Sequence, residues 1–294
     1  MLHDLAGLYP AFLTPLDQQR RLNESVAIAM LHALLRTGMD GVYVAGSTGE
    51  GMRLPVEMRE RLVEVVHGAL PEGKRLIVHV GALNTSDAFR LAEHAAHHGA
   101  HAISSLPPAG NPQDVYSFYK ELSERSPLPL ILYYFPKVAP HAFLEAQQLM
   151  DVCDLPNVVG VKFTDFNTHL MQRLVKRGKL VFNGYDEALA AGLLMGAQGG
   201  IGSTYNAMPE AYLQLYRDAK AGNWEDVRKL QSNINEVIEE LISRPFFPAL
   251  RAVVRARGFD CGPLMSGETI EAFEAEAMLD QLKRQDRNLC GLQA

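Results

Sequence analysis

The chain has 294 residues, long enough to bury a large core, and its 47% hydrophobic and 21% charged residues are the proportions of an ordinary globular protein. A formal net charge of −6 with no basic block argues against nucleic acid or an anionic membrane surface as a partner. No apolar run approaches the roughly 20 residues that span a bilayer, and the first residues lack the basic and apolar parts of a signal peptide, so a cytoplasmic location is expected.

Short apolar, β-rich runs recur along the chain with helix-like stretches between them. In order they are Leu8–Phe12, Gly41–Ala45, Leu76–Val80, Ala102–Leu106, Leu130–Phe135, Val158–Thr164, Leu180–Asn183 and Gly200–Ser203. Most are continuous rather than alternating, as parallel strands covered on both faces should be. Pro55 before an apolar pattern at helical spacing, Asn84 to Asp87 before Ala88, and Asn111-Pro112 before Val115 read as helix starts. Eight strand–helix units predict an α/β fold, a (β/α)₈ TIM barrel. A doubly wound open sheet shows the same alternation, but it usually carries a Gly-rich phosphate loop after the first strand, and Thr14-Pro15-Leu16-Asp17 is not one. Beyond Gly222 the strands stop. Trp224–Ser243, Pro248–Arg257 and Thr269–Arg287 read as helices, so residues 1–222 are expected to form the barrel and 223–294 a C-terminal helical extension. Three widely spaced cysteines, Cys153, Cys261 and Cys290, suit free thiols in a reducing compartment better than a disulfide framework.

One feature of the sixth strand stands out. In Val158-Val159-Gly160-Val161-Lys162-Phe163-Thr164 a lysine sits among apolar neighbours. Burial disfavours the charged form of an amine, and a neutral amine is a nucleophile toward carbonyls, so the segment hints at Schiff-base chemistry. A lysine at a strand end that snorkels into solvent is the plainer explanation. Other polar residues fall at the same rim, where such barrels carry their sites. Ala45-Gly46-Ser47-Thr48-Gly49-Glu50 follows strand two, where two hydroxyls and the backbone amides suit a carboxylate. Ile131, Tyr133 and Phe135 share one face of strand five, and Gly160, Lys162 and Thr164 one face of strand six, so the Tyr133 hydroxyl should approach the lysine amine. Strand seven ends in Gly184-Tyr185-Asp186-Glu187, and strand eight in Gly202-Ser203-Thr204, where a glycine leaves room for a ligand and a hydroxyl to meet it.

Gly-Ser-Thr-Gly-Glu at 46–50, Tyr-x-x-Pro at 133–136, Gly-x-Lys-x-Thr at 160–164, Gly-Tyr-Asp-Glu at 184–187 and Gly-Ser-Thr-Tyr-Asn at 202–206 occur in that order. Together they resemble the pyruvate-dependent class I aldolases of the N-acetylneuraminate lyase and dihydrodipicolinate synthase superfamily, the last two motifs most closely the N-acetylneuraminate lyase branch. The resemblance runs from about Leu8 to at least Asn206. It implies a retro-aldol lyase in which Lys162 forms the Schiff base and Tyr133 shuttles protons. Ser47 and Thr48 would bind the pyruvoyl carboxylate. Thr164, Gly184, Asp186, Glu187, Gly202 and Ser203 would line the part of the site that holds the sugar-like portion. It further implies a small 2-oxo acid substrate, no cofactor, no metal, and a homotetramer.

Two departures stand beside it. The tyrosines that family members commonly carry after strand four are absent from Ser104-Ser105-Leu106-Pro107-Pro108-Ala109-Gly110-Asn111-Pro112; Tyr116 and Tyr119 follow at helical spacing, as packing residues would. Lys137 and Val138 follow Pro136 where dihydrodipicolinate synthases place an arginine, which argues against an aspartate-semialdehyde substrate. The open alternatives are an aldolase or dehydratase acting on another 2-oxo acid, such as 2-keto-3-deoxygluconate, and a catalytically silent binder of such acids. His94, His97, His98 and His101 crowd a helix end at the opposite rim. Their spacing can bind a metal, but at this rim, away from the expected site, they read as a solvated helix end, where histidine is stabilising.

Overall fold

A computed structural model of the chain describes residues 5–284 and 289–292. Eight parallel strands follow one another around a ring: β1 (Gly7–Pro10), β2 (Gly41–Val44), β3 (Arg75–His79), β4 (Ala102–Ser105), β5 (Leu130–Tyr134), β6 (Val158–Phe163), β7 (Leu180–Asn183) and β8 (Gly199–Gly202). From β2 onward each pairs with the next, and β8 pairs with β1. The ring closes between β1 and β2 at the Ala11–Tyr43 bridge, where the Phe12 N–H donates to the Tyr43 carbonyl at 2.8 Å. The fold is a (β/α)₈ barrel, as the alternation of strand and helix patterns predicts.

Period-2 geometry divides the core in two. Tyr9, Tyr43, Ile77, Ala102, Ile131, Phe182 and Ile201 point inward and fill the barrel. Their outward neighbours, among them Leu8, Val42, Val78, Ile103, Leu132 and Val181, pack beneath the surrounding helices. Each such side chain removed from water is worth roughly 1.5–3 kcal/mol, so the two layers together dominate the stability.

The helices between strands are α1 (Glu24–Arg36), α2 (Val56–Gly68), α3 (Thr85–His97), α4 (Pro112–Arg125), α5 (Ala146–Cys153), α6 (Thr168–Lys176) and α7 (Leu189–Leu194), with α8 (Pro209–Ala221) after β8. Their starts are chemically marked. Asn111 caps α4 by accepting from the Gln113 and Asp114 N–H groups, Asp114 answers in a capping box, and Pro112 occupies the first turn. Gly222, at φ 81°, ends α8 in the left-handed conformation that glycine adopts without strain. Then come α9 (Trp224–Ile242), α10 (Phe246–Ala256) and α11 (Ala272–Arg284). The helix expected over Thr269–Arg287 starts later, at Ala272, and its last three residues lie outside the described ones. No helix among the described residues is long and apolar enough to cross a membrane.

All three cysteines are buried and free, their thiols pushed up by burial to about 12 for Cys153, 11 for Cys261 and 12 for Cys290. They are inert packing groups at neutral pH.

Candidate active site

The C-terminal ends of the strands surround a cavity of about 310 Å³. Lys162 projects into it from β6 and is only 4% exposed. Tyr133 of β5 is its register partner across the β5–β6 ladder, and the approach is made by the ring face: the Lys162 Nζ lies 4.0 Å from the Tyr133 ring centroid and 4.6 Å from that of Tyr43. The two faces present their negative quadrupoles to the amine. The snorkelling alternative is therefore excluded for Lys162. Just upstream, Val159 is an extra residue in the β5–β6 register, since Leu130 pairs with Val158 and Ile131 with Gly160. Such a bulge re-aims the side chains that follow it.

The tyrosines flanking the amine continue into a polar floor. Burial raises the Tyr43 phenol well above its ordinary value, so it is a donor, and it donates to Ser104 Oγ at 3.2 Å. Burial first, and then the nearby Arg59 charge, holds the His79 imidazole well below its usual value. His79 is thus neutral, and its Nε2 accepts the Leu106 N–H at 3.1 Å. Outward from Tyr133 runs a chain of rings. Tyr133 stacks on Phe135 at 6.0 Å, Phe135 meets Tyr185 edge-on at 6.0 Å, and Tyr185 stacks on Phe166 at 4.6 Å.

Ser47, Thr48, Thr164, Gly184, Asp186, Glu187 and Ser203 all line the same cavity. The loop carrying Ser47 and Thr48 is tied by bonds from Glu50 N–H to Ser47 O and from Gly51 N–H to Gly46 O, both at 3.0 Å. It is bracketed by two non-glycine residues in the left-handed region, Ala45 at φ 57° and Glu50 at φ 55°, a strain of the kind held at functional loops. Thr48 Oγ1 and Ser203 Oγ share a hydrogen bond of 2.7 Å, which joins the β2 and β8 rims in one hydroxyl pair. Thr164 Oγ1 is buried and has no hydrogen-bond partner among the described residues, and Thr164 lines the cavity.

The two acids after β7 differ. Asp186 is buried, its Oδ2 accepting from the Thr204 N–H and Oγ1, both at 2.7 Å. Burial nevertheless pushes its carboxyl up to about 6, with the Thr204 bonds opposing. Glu187 is half-buried at the cavity wall. Gly202 is needed by close approach: a Cβ there would lie 2.1 Å from Asp186 Oδ1 and 2.4 Å from the Tyr205 ring. Gly202 thus supports the site through Asp186 and is absent from the cavity wall.

Motif membership does not imply a place in the cavity. Glu50 turns away, its carboxylate accepting from the Met265 and Ser266 N–H groups at 2.8 Å, so it fastens the segment before α11 to the β2 rim. Arg251 of α10 completes this fastening with bonds to the carbonyls of Thr14, Cys261, Gly262 and Pro263. Tyr119 donates to Ser105 O at 2.8 Å from within the core, and Tyr116 packs against the same core, as their helical spacing suggests. Among residues the motifs did not flag, Tyr43 was legible as an inward position of β2. Lys137, directly after Pro136, lines the same cavity. Ile238 and Ile242 of α9 and Phe246 and Phe247 of α10 supply an apolar wall, and no local signal marks them as cavity residues. Gln231 of α9 holds the acid-bearing turn. Its Nε2 donates to Asp186 O at 3.2 Å, and its Oε1 accepts the Ala190 N–H at 2.8 Å.

Eight parallel strands alternating with helices in one closed ring, with a cavity over the strand ends, make this a (β/α)₈ barrel. Within that class the chain belongs to the dihydrodipicolinate synthetase family, whose sequence profile matches residues 4–276. It is 38% identical over 264 residues to the N-acetylneuraminate lyase of Rhizobium meliloti (strain 1021), with 88% of each chain covered. It is 33% identical over 260 residues to that of Escherichia coli (strain SMS-3-5 / SECEC), covering 86% of this chain and 87% of the relative. Among solved structures, the Ruminococcus gnavus sialic acid aldolase catalytic lysine mutant superposes with a TM-score of 0.89 at 27% identity, covering 97% of this chain and 99% of that one. The N-acetylneuraminate lyase of Mycoplasma synoviae superposes with a TM-score of 0.86 at 29% identity, covering 96% and 99%.

Proposed function

We propose that this chain is a Schiff-base-forming lyase that cleaves N-acetylneuraminate to N-acetylmannosamine and pyruvate, and runs the condensation in reverse. The observation that carries the reading is the buried Lys162 amine at the cavity floor, faced by Tyr133 and surrounded by hydroxyls and two acids. The Lys162 nitrogen adds to C2 of the open-chain sugar acid, and loss of water leaves an iminium. The C4 hydroxyl gives up its proton, the C3–C4 bond breaks, and its electron pair flows into the iminium to form an enamine. N-acetylmannosamine leaves as the aldehyde. Protonation of the enamine at C3 and hydrolysis return pyruvate and the free lysine. Tyr133 is the proton carrier in this scheme, a role worth typically 10²–10⁴-fold. Ser47 and Thr48 hold the carboxylate, and Thr164, Asp186, Glu187 and Ser203 meet the sugar hydroxyls. The apolar wall of Ile238, Ile242, Phe246 and Phe247 gives an acetamido methyl a face to rest on. That wall favours the N-acetylated sugar over 2-keto-3-deoxygluconate, which has no such group.

The test is intact mass and peptide mapping after incubation with pyruvate and sodium borohydride. A reduced pyruvyl adduct on Lys162 is expected. Lys162→Ala should show no adduct and should lower pyruvate release from N-acetylneuraminate by more than about 10³-fold. Release at the wild-type rate from the variant would sink the assignment. An adduct without turnover of N-acetylneuraminate, but with turnover of 2-keto-3-deoxygluconate, would transfer the chemistry to the other substrate.

A further inference from the structure

The histidine cluster at the far rim of the barrel has a geometry that the catalytic site does not explain. His94 lies in the last turn of α3, and His98, the residue that caps it, is one helical turn further on the same face. Their rings stack at 4.1 Å, and both present Nε2 to one carboxylate oxygen of the neighbouring helix α2: Glu64 Oε1 lies 3.3 Å from His94 Nε2 and 4.0 Å from His98 Nε2. The three donor atoms all lie within 4.8 Å of one another. The other histidines are not part of the group. His101 is committed elsewhere, its Nδ1 accepting the Leu76 N–H at 3.1 Å, and His97 touches the group only through an edge-on contact with His98 at 5.1 Å.

We propose that Glu64, His94 and His98 form a surface site for a borderline divalent transition metal, zinc being the representative ion. Two imidazole nitrogens and one carboxylate oxygen are a zinc donor set, with a fourth position left to water. Metal–nitrogen distances of about 2.0–2.1 Å place tetrahedral donors roughly 3.3 Å apart, the separation already present between His94 and Glu64. His98 reaches the same spacing by a small turn of a side chain that is 35% exposed. Arg61 occupies the other oxygen of Glu64 at 2.9 Å, orienting the carboxylate without covering Oε1. Nδ1 of His94 is buried without a partner among the described residues, which leaves that ring without the acceptor that usually supports a ligating histidine. Such support is typically worth about 10–100-fold in affinity, so the site is expected to bind more weakly than a structural zinc site. An ion there would clamp the ends of α2 and α3 at the base of the barrel, remote from Lys162.

Untagged protein freed of metal by chelation and dialysis is titrated with zinc chloride in a calorimeter, beside His98→Ala and Glu64→Gln, with circular dichroism confirming that each variant is folded. One zinc per chain with a micromolar dissociation constant is expected, weakened at least about tenfold in each variant. The thermal midpoint of the wild type should rise with zinc, and that of the variants should rise less at the same zinc concentration. No uptake by the wild type at ~100 µM zinc, or uptake unchanged in either variant, overturns the site. Because pyruvate release is not the readout, the result stands apart from the lyase assignment.

Discussion

Asp186 sets burial against charge within a single side chain. Desolvation raises its carboxyl from the usual 3.8 to about 6, and the two Thr204 bonds recover only part of that cost. The folded chain therefore binds this proton more tightly than the unfolded chain does. Stability contributed by the protonated acid is present below about 3.8, is lost as pH rises through 6, and stays lost above it. A shift of about two units corresponds to roughly 3 kcal/mol. Asp186→Asn removes the titration, so between pH 4 and pH 7 the wild type should lose about 2–3 kcal/mol relative to the variant in denaturant melts. Parallel pH dependences of the two proteins would show that Asp186 ionises normally. The sequence places this acid at the rim, but its burial and its bonds to Thr204 appear only in three dimensions.

At the level of elements, local chemistry was legible almost everywhere. The strand pattern agrees with the observed strands to within a residue or two, because continuous Val, Ile, Leu and Tyr runs have no other way to bury both faces. The helix starts at Pro55, Asn84 and Asn111 are those expected. The helix anticipated from Pro248 begins at Phe246 instead. Pro248 falls within the first turn, where its missing N–H costs nothing, so it marks a position inside the start rather than the start itself. The bulge at Val159 was not legible, since register depends on the partner strand. Glycine at 202 illustrates how one strand constrains another. Its absent side chain leaves space for an Asp186 carboxylate that two Thr204 bonds prevent from moving aside. Gly202→Ala should therefore cost about 1–3 kcal/mol in equilibrium unfolding and raise the KM for sugar acid. A variant with wild-type stability and KM would mean that the carboxylate yields freely.

Across the whole molecule, α9 and α10 act on a site built mainly by the barrel. They add the apolar wall, and Gln231 bridges the Asp186 carbonyl and the Ala190 N–H on the far side of the acid-bearing turn. Gln231→Leu removes both bonds; the Asp186 carbonyl keeps the Leu189 N–H, but the Ala190 N–H loses the Gln231 oxygen, at about 1–3 kcal/mol if no water replaces it. The effect should fall on substrate binding, with KM rising about fivefold or more and kcat changing less, because the turn carries Asp186 and Glu187 and not the lysine. A loss confined to kcat in steady-state kinetics would contradict this placement.

By itself the sequence determined the barrel, the rim at which the motif residues gather, and the inward faces that bring Lys162 and Tyr133 side by side. Those are consequences of period, order and residue type, which are local properties. Only the tertiary structure decided that Glu50 leaves its motif to hold the segment before α11 and that Thr48 meets Ser203 across the barrel mouth. It also decided that α9 and α10 wall the cavity, and that Glu64 joins two of the four clustered histidines. Each of these contacts joins segments about 30 to more than 200 residues apart, and no spacing within either segment encodes the distance between them.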